Sequence, residues 1–360
     1  MSPSGGDEPV SAPPSTAFGV ARATFAQAAR RRKDIVREID CTLVGHPVRL
    51  RIAGRRLGEI VSAPLAHVLR SDGIPPALEI ELWDVDEAGH RGPFPSLAGV
   101  FEREWELGEE TLAASGPLVA HQLHESILLL HQEARHIVGW TSSAGTLSLH
   151  QRGKPLQTIL SIWAHGRGAQ AVHAGCVARD GAGVLFPGKG GSGKSTSALA
   201  CALHGFSFLS DDLVLFDSSF DAHSLYCSAW LEPDHLRRFP AMAVHAEPGG
   251  SALETKSLLM MENSLGSRTV PSARIRALAL PRIVHRPASR PRRATRAEAL
   301  LMLAPTTVLQ LHPRSGRREI ERLAELIERT PAFWLELGTD LQSIPRHVDE
   351  ILAAAQLIDS

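Results

Sequence analysis

The segment VLFPGKGGSGKSTSALACALHGFSFLSDDLVLF, Val184 to Phe216, constrains this chain more than any other. Gly188, Gly193, Lys194 and Ser195 satisfy G-x-x-x-x-G-K-[ST], with an apolar run before the pattern and a helix-forming run after it, which is the context the pattern requires. The glycines free the backbone to fold so that several N–H groups point inward, and the helix that follows, over Lys194 to Leu203, adds the positive end of its dipole. Gly188, Lys189, Gly190, Gly191, Ser192, Gly193, Lys194, Ser195 and Thr196 therefore form a phosphate cradle. Lys194 is expected to bridge the β- and γ-oxygens of a nucleoside triphosphate, and the Ser195 hydroxyl to ligate Mg²⁺.

Gly205 is the expected end of that helix, since glycine takes the left-handed conformation cheaply. The chain then returns as FSFLSDDLVLF, where Asp211 and Asp212 interrupt an apolar strand. Two adjacent carboxylates in such a setting are costly without a cation, so a metal or proton-transfer role is expected for them. Alternation along a strand lets one face Mg²⁺ while its neighbour faces elsewhere.

Size and charge narrow the class. At 360 residues, 43% of them hydrophobic, the chain has material for about two domains with real cores. Thirty-eight basic against thirty-nine acidic residues leave a net charge of -1, so no global field draws in nucleic acid or an anionic membrane. The start, MSPSGGDEPVSAPPST, lacks a charged n-region followed by an apolar core, and no apolar run approaches the ~20 residues that span a bilayer. A cytoplasmic location is the expectation. Cys41, Cys176, Cys201 and Cys227 lie far apart, which suits reduced, buried thiols.

Residues 1–16, rich in Pro, Ser and Gly, read as a disordered tail. Residues 17–165 read as a variable α+β domain, with a hairpin in REIDCTLVGHPVRLRIAG, strands in ALEIELWDV and GTLSLHQRG, and a helix in PLQTILSIWAHGRG. Between the strands, Leu118, Leu123, Ile127, Leu130 and Ala134 recur near helical spacing and predict a helix carrying His121, His124, His131 and His136. No carboxylate or cysteine set completes a metal site there, so these are expected to be polar-face residues. Residues 166–360 open with AVHAGCVARDGAGVLFPG, whose Asp180-Gly181 between apolar runs signals a hairpin feeding the phosphate loop. A late strand in ALALPRIVHRP follows, then an amphipathic helix with Ile320, Leu323, Leu326 and Ile327 on one face, and a closing helix in SIPRHVDEILAAAQLI. The basic runs Arg30–Lys33 and Arg290, Arg292, Arg293, Arg296 have no aromatic interleaving and read as solvated surface.

His173, the loop starting at Gly188 and the pair at Asp211 together resemble the HPr serine kinase/phosphorylase family, more closely its kinase-only branch beside peptide-maturation and lasso-peptide clusters. The likeness is good over residues 169–217 and loose to about 338. It implies an α/β (α+β) P-loop domain of the HPr-kinase and phosphoenolpyruvate-carboxykinase type, using ATP and Mg²⁺ to phosphorylate a seryl hydroxyl of a protein or ribosomally made precursor peptide. It also implies that Asp211 is the general base, that Asp212 faces the metal with Ser195, and that His173 meets the transferred phosphate or orients the aspartate. The family's EIRGLG-type segment and basic loop are absent, CSAWLEPDHLRRFP standing instead, which leaves the reverse reaction and an oligomer open. Lys256 and Arg268 are the candidate cations to close over the γ-phosphate. Two alternatives stand beside this reading: a nucleotide-gated peptide-binding module without transfer, and a small-molecule or carboxykinase-like kinase.

Overall fold

In the computed structural model of the protein, residues 14–94, 96–97, 100–249, 255–284, 286–308 and 316–359 are described. The chain divides into two mixed α/β units, one of Met1–Ile39, Val48–Glu59 and Pro75–Thr146, the other of Asp40–Pro47, Ile60–Ile74 and Leu147–Ser360. The helix Gln157–His165, expected at the end of the domain 17–165, falls within the second unit. Of the expected tail, residues 1–13 lie outside the described residues, and Pro14, Ser15 and Thr16 begin the helix Pro14–Arg31. No helix among the described residues is long and apolar enough to cross a membrane. All four cysteines are free and buried, and burial pushes the Cys41 thiol up to about 12 and that of Cys227 to about 11.

An eight-stranded sheet, which belongs to the first unit except for Asp40–Leu43 and His46–Pro47, consists of β1 (Val36–Leu43), β2 (His46–Ala53), β3 (Leu78–Asp84), β4 (Arg103–Leu107), β5 (Glu110–Ser115), β6 (Leu118–Leu123), β7 (Ser126–His131) and β8 (His136–Thr141). Their order is β1-β2-β3-β8-β7-β6-β5-β4. The helix Pro14–Arg31 buries Phe18, Ala21, Phe25 and Ala28 in a core with Trp83, Val138 and Trp140.

Two expectations fail here. The helix over residues 118–134 is in fact the β6–β7 hairpin and the turn into β8. Apolar runs of four to six residues satisfy helical and buried-strand spacing equally well, so punctuation decides between them. His124 at φ 50° closes a two-residue turn between Leu123 and Ser126, and Arg135 at φ 53° ends the next turn. GTLSLHQRG is not a strand either, because Ser148 and Gln151 form a capping box that starts the short helix Leu149–Gly153.

The second unit carries β9 (Gln170–Arg179), β10 (Ala182–Pro187), β11 (Ser207–Ser210), β12 (Leu213–Phe216), β13 (Asp221–His223), β14 (Ser228–Leu231), β15 (Ser257–Met260), β16 (Ser272–Ile283), β17 (Arg290–Arg293) and β18 (Ala332–Leu337). The main sheet runs β10-β9-β12-β13-β16-β18-β17, with β11 on β9 and a further parallel pairing of β10 with β16. Asp180 (φ 52°) and Gly181 (φ 79°) make the β9–β10 turn, as the Asp-Gly signal predicts. The loop helix Lys194–Leu203 buries Ala198, Leu199, Ala200 and Cys201 in one core, while Val172, Ala174, Cys176 and Leu185 belong to another. In the helix Arg317–Arg329, Leu323, Leu326 and Ile327 are buried with Glu319, and Ile320 is exposed, so the apolar face is shifted by one residue from the expected one.

Candidate active site

β9 organises the site. On one side its Ala174 and Gly175 pair with Pro187 and Phe186, the last residues before the glycine loop. On the other side Ser210 pairs with Cys176 and Leu213 with His173, so the bend Asp211–Asp212 stands opposite the same two residues. Gly175 lies against the backbone of that bend, where a Cβ would make ordinary contact, 3.4 Å from the Asp211 carbonyl oxygen. Neighbouring strands lie roughly 4.8 Å apart, so the register alone sets the loop and the acid pair about two strands from each other.

The loop itself needs its glycines. Gly188 and Gly193 adopt φ of 141° and 105°, and a Cβ on Gly193 would stand 2.2 Å from Leu337 Cδ1. No side chain caps the helix at Gly193. The Lys194 ammonium, buried on its loop, donates to the carbonyls of Gly188 (2.6 Å) and Lys189 (3.2 Å), and burial pulls its pKa down. The buried Ser192 hydroxyl oxygen has no hydrogen-bond partner among the described residues, and Ser195 is half-buried in the first helical turn. Thr196 Oγ1 lies 2.9 Å from His235 Nε2.

The two aspartates occupy different surroundings. Asp211 is 1% exposed; its Oδ2 accepts the Trp230 N–H at 2.8 Å, and its Oδ1 has no partner among the described residues. Burial raises its pKa to about 6. Asp212 is more open. Burial opposes its charge too, but Lys154 first and then His173 outweigh that cost and hold the carboxyl below the usual range. Its Oδ2 is ion-paired with the buried Lys154 ammonium, and its Oδ1 lies 3.2 Å from His173 Nδ1. Burial, partly offset by Asp212, lowers the His173 pKa. The His173 N–H donates to Thr307 Oγ1 at 3.3 Å.

Of the expected residues, then, the loop, Lys194, His173, Asp211 and Asp212 come together. Lys256 is exposed and paired with Glu232 at 3.0 Å, close enough that its charge helps to depress Lys194 and His173. Arg268 does not join them: its Nη1 donates to the Ala202 carbonyl at 2.9 Å, at the opposite end of the loop helix, so it cannot clamp a phosphate held at the start. A ten-residue helix is about 15 Å long.

No family model matches the chain, and no curated protein does. Its structure is similar to the HPr(Ser) kinase/phosphatase from Coxiella burnetii, at 12% identity and a TM-score of 0.27, over 53% of this chain and 98% of that one.

Sequence reasoning missed Lys154, Trp230 and His235. Lys154 lies at the end of the capped turn, where Gly153 O accepts from Ser228 Oγ (2.7 Å) and Pro155 O from the Tyr226 hydroxyl (2.5 Å). The lysine sits 58 residues from the aspartate it meets, and no local pattern reports a pairing of that kind. Trp230 and His235 belong to the CSAWLEPDHLRRFP stretch, which carried weight only as a departure from a resemblance.

Proposed function

We propose that the second unit is an ATP-dependent kinase that transfers the γ-phosphoryl group to a seryl hydroxyl of a protein or ribosomally made peptide. One observation carries the reading: a glycine loop with a buried lysine and a carboxylate pair with one unpartnered oxygen flank the same two residues of β9. Phosphoryl transfer asks for little more than positioning and charge, which are the two things this arrangement supplies.

The donor set fits Mg²⁺. A carboxylate offers about four lone-pair sites, of which Lys154 and His173 use two on Asp212, so Asp212 and the Ser195 hydroxyl would hold the ion beside the phosphates. When bound, the ion would neutralise charge on the β- and γ-oxygens. Lys194 would exchange its bonds to Gly188 O and Lys189 O for phosphate oxygens, which a folded-back ammonium can do without leaving its loop. Asp211 Oδ1, buried and without a partner among the described residues, is suited to accept the acceptor's hydroxyl proton, because its raised pKa brings it toward neutrality. Trp230 N–H would keep the other oxygen occupied and the carboxylate turned.

Intact-mass measurement of precursor peptides, proteins and free serine incubated with the protein, Mg²⁺ and ATP tests the reading. A gain of one phosphoryl group on a peptide or protein, lost in Asp211→Asn, is the expected result. ATP binding without product on any acceptor would replace the kinase with a nucleotide-gated module, and product on free serine alone would replace the macromolecular acceptor with a small one.

A further inference from the structure

β10, β16 and β18 run parallel, and their carboxyl ends, Pro187, Ile283 and Leu337, point to one edge of the sheet. The phosphate loop rises from the first of them. Beside it, over the other two, lies a cavity of about 390 Å³ lined by Gly193, Thr196, Ile283, Val284, Leu337 and Thr339, among others. That volume is within the range of small-molecule sites, roughly 300–1,000 Å³.

Its position relative to the acid pair gives it a meaning. β10 has β9 on one side and β16 on the other, so the loop has Asp211 and Asp212 toward β9 and the cavity toward β16 and β18. A triphosphate whose terminal group lies at Lys194 and the acid pair has to leave the loop in the opposite direction, across Gly193 and Thr196. From this, and resting on the nucleotide reading above, we infer that the cavity at the ends of β16 and β18 seats the nucleoside of the phosphoryl donor.

The walls say how it would be held. Ile283, Val284, Leu337 and Leu341 are aliphatic, and Ile283 is 62% exposed at this position, an apolar surface that a flat ring would cover. Several polar groups nearby are already engaged: Val284 N–H donates to Leu337 O (2.9 Å), Gly338 N–H to Ser289 Oγ (3.1 Å), Thr339 N–H to Arg286 O (3.1 Å), and the Thr196 hydroxyl meets His235. No side-chain amide or carboxylate is among the lining residues, and the one charged lining group, Arg238, is held by Asp234 at 2.5 Å, so apolar packing holds the base.

The experiment uses the full-length protein with two probes, ATP and inorganic tripolyphosphate, and a photoreactive 8-azido-ATP for mapping. Photolabel is expected on peptides covering 281–284 or 337–341, competed away by ATP. Ile283→Ser, at an exposed position that spares the fold, is expected to weaken ATP about fivefold through lost apolar contact while leaving tripolyphosphate within twofold. Label on other segments, or equal loss of both probes, would overturn the nucleoside seat while leaving the nucleotide reading standing. If the parent protein binds neither ATP nor tripolyphosphate, the nucleotide reading falls and takes this inference with it.

Discussion

In the first unit, His136 Nε2 lies 2.9 Å from Glu81 Oε2, and Arg51 Nη1 lies 3.3 Å from the other carboxylate oxygen, with Arg22 at 3.5 Å. In the second, His173 Nδ1 lies 3.2 Å from Asp212 Oδ1, and Lys154 holds the other oxygen. Both are histidine–carboxylate pairs with a cation behind the acid, yet their neighbours differ. Around Glu81 both oxygens are engaged, by His136 and Arg51 on strands and by Arg22 on the helix Pro14–Arg31. Next to Asp212 in the chain stands the Asp211 carboxylate, one oxygen of which has no partner among the described residues, and the Lys194 ammonium, whose charge acts on Asp212, is bonded to its own loop's carbonyls. Residual bonding capacity, more than the pair itself, is what distinguishes the proposed site from the Glu81 cluster.

The sharpest way to break this comparison is to remove one group from each side and measure transfer. Asp211→Asn should lower the phosphorylation rate by about 10²–10⁴, the usual worth of a positioned general base. Lys194→Ala should cost about 10²–10³, as loss of a charged group at the reacting oxygens does. His136→Gln should leave the rate within about twofold and instead lower the thermal midpoint, since it strips a buried carboxylate of one partner. A large rate loss in His136→Gln would erase the distinction between the two pairs.

Lys154→Met attacks the second pair from behind. It leaves the Asp212 charge without its nearest cation, and breaking a buried pair from one side costs about 3 kcal/mol. Denaturant unfolding should show that loss, and Lys154→Arg should recover part of it. If Lys154→Met is as stable as the parent, Asp212 is solvated well enough not to need the lysine.

pH separates the two acids by sign. Asp211 has its pKa raised to about 6 by burial, so its contribution is present below its unfolded value near 4 and is lost as pH rises through 6. Asp211→Asn should therefore be more stable than the parent at pH 8, by about 1–3 kcal/mol, with the gap closed at pH 4. Glu81 is shifted the other way: burial works to raise it, but His136 and the two arginines prevail and lower it. Its contribution is present above its ordinary value and is lost as pH falls through the depressed one. Glu81→Gln should thus be destabilised at pH 7 and match the parent in strong acid. Parallel pH profiles for the two variants would contradict the assigned environments.

How legible this was depends on the range of the interaction. The strand–loop–helix of Val184–Leu203 and the Asp180-Gly181 turn are local, with backbone conformations that only certain residues adopt, and the sequence predicts them residue by residue. The β6–β8 meander was misread because its apolar runs are short enough to fit two periods, and the deciding positive φ falls on His124 and Arg135, where no glycine announces it. Lys154 and Trp230 reach the acid pair across 58 and 19 residues, and the cavity at Ile283 and Leu337 exists only once β16 and β18 are paired. Such contacts are properties of topology, and no spacing along the chain reports them.

The smallest effects come from the two cations that looked alike in sequence. Lys256 is exposed and already shared with Glu232, so its field at the loop is weakened by solvent and partner; Lys256→Ala should cost less than about threefold in rate and nothing measurable in stability. Arg268 instead closes the far end of the loop helix, where its guanidinium meets the Ala202 carbonyl and the negative end of the dipole. Arg268→Ala should leave the rate per folded molecule unchanged and lower stability by about 1 kcal/mol, the usual value of a charge-assisted bond at a helix terminus. Should Arg268→Ala slow transfer while the melting temperature stays fixed, the guanidinium must swing to the phosphate end during turnover, and the division drawn here between a loop end that reacts and a helix end that only holds would have to be given up.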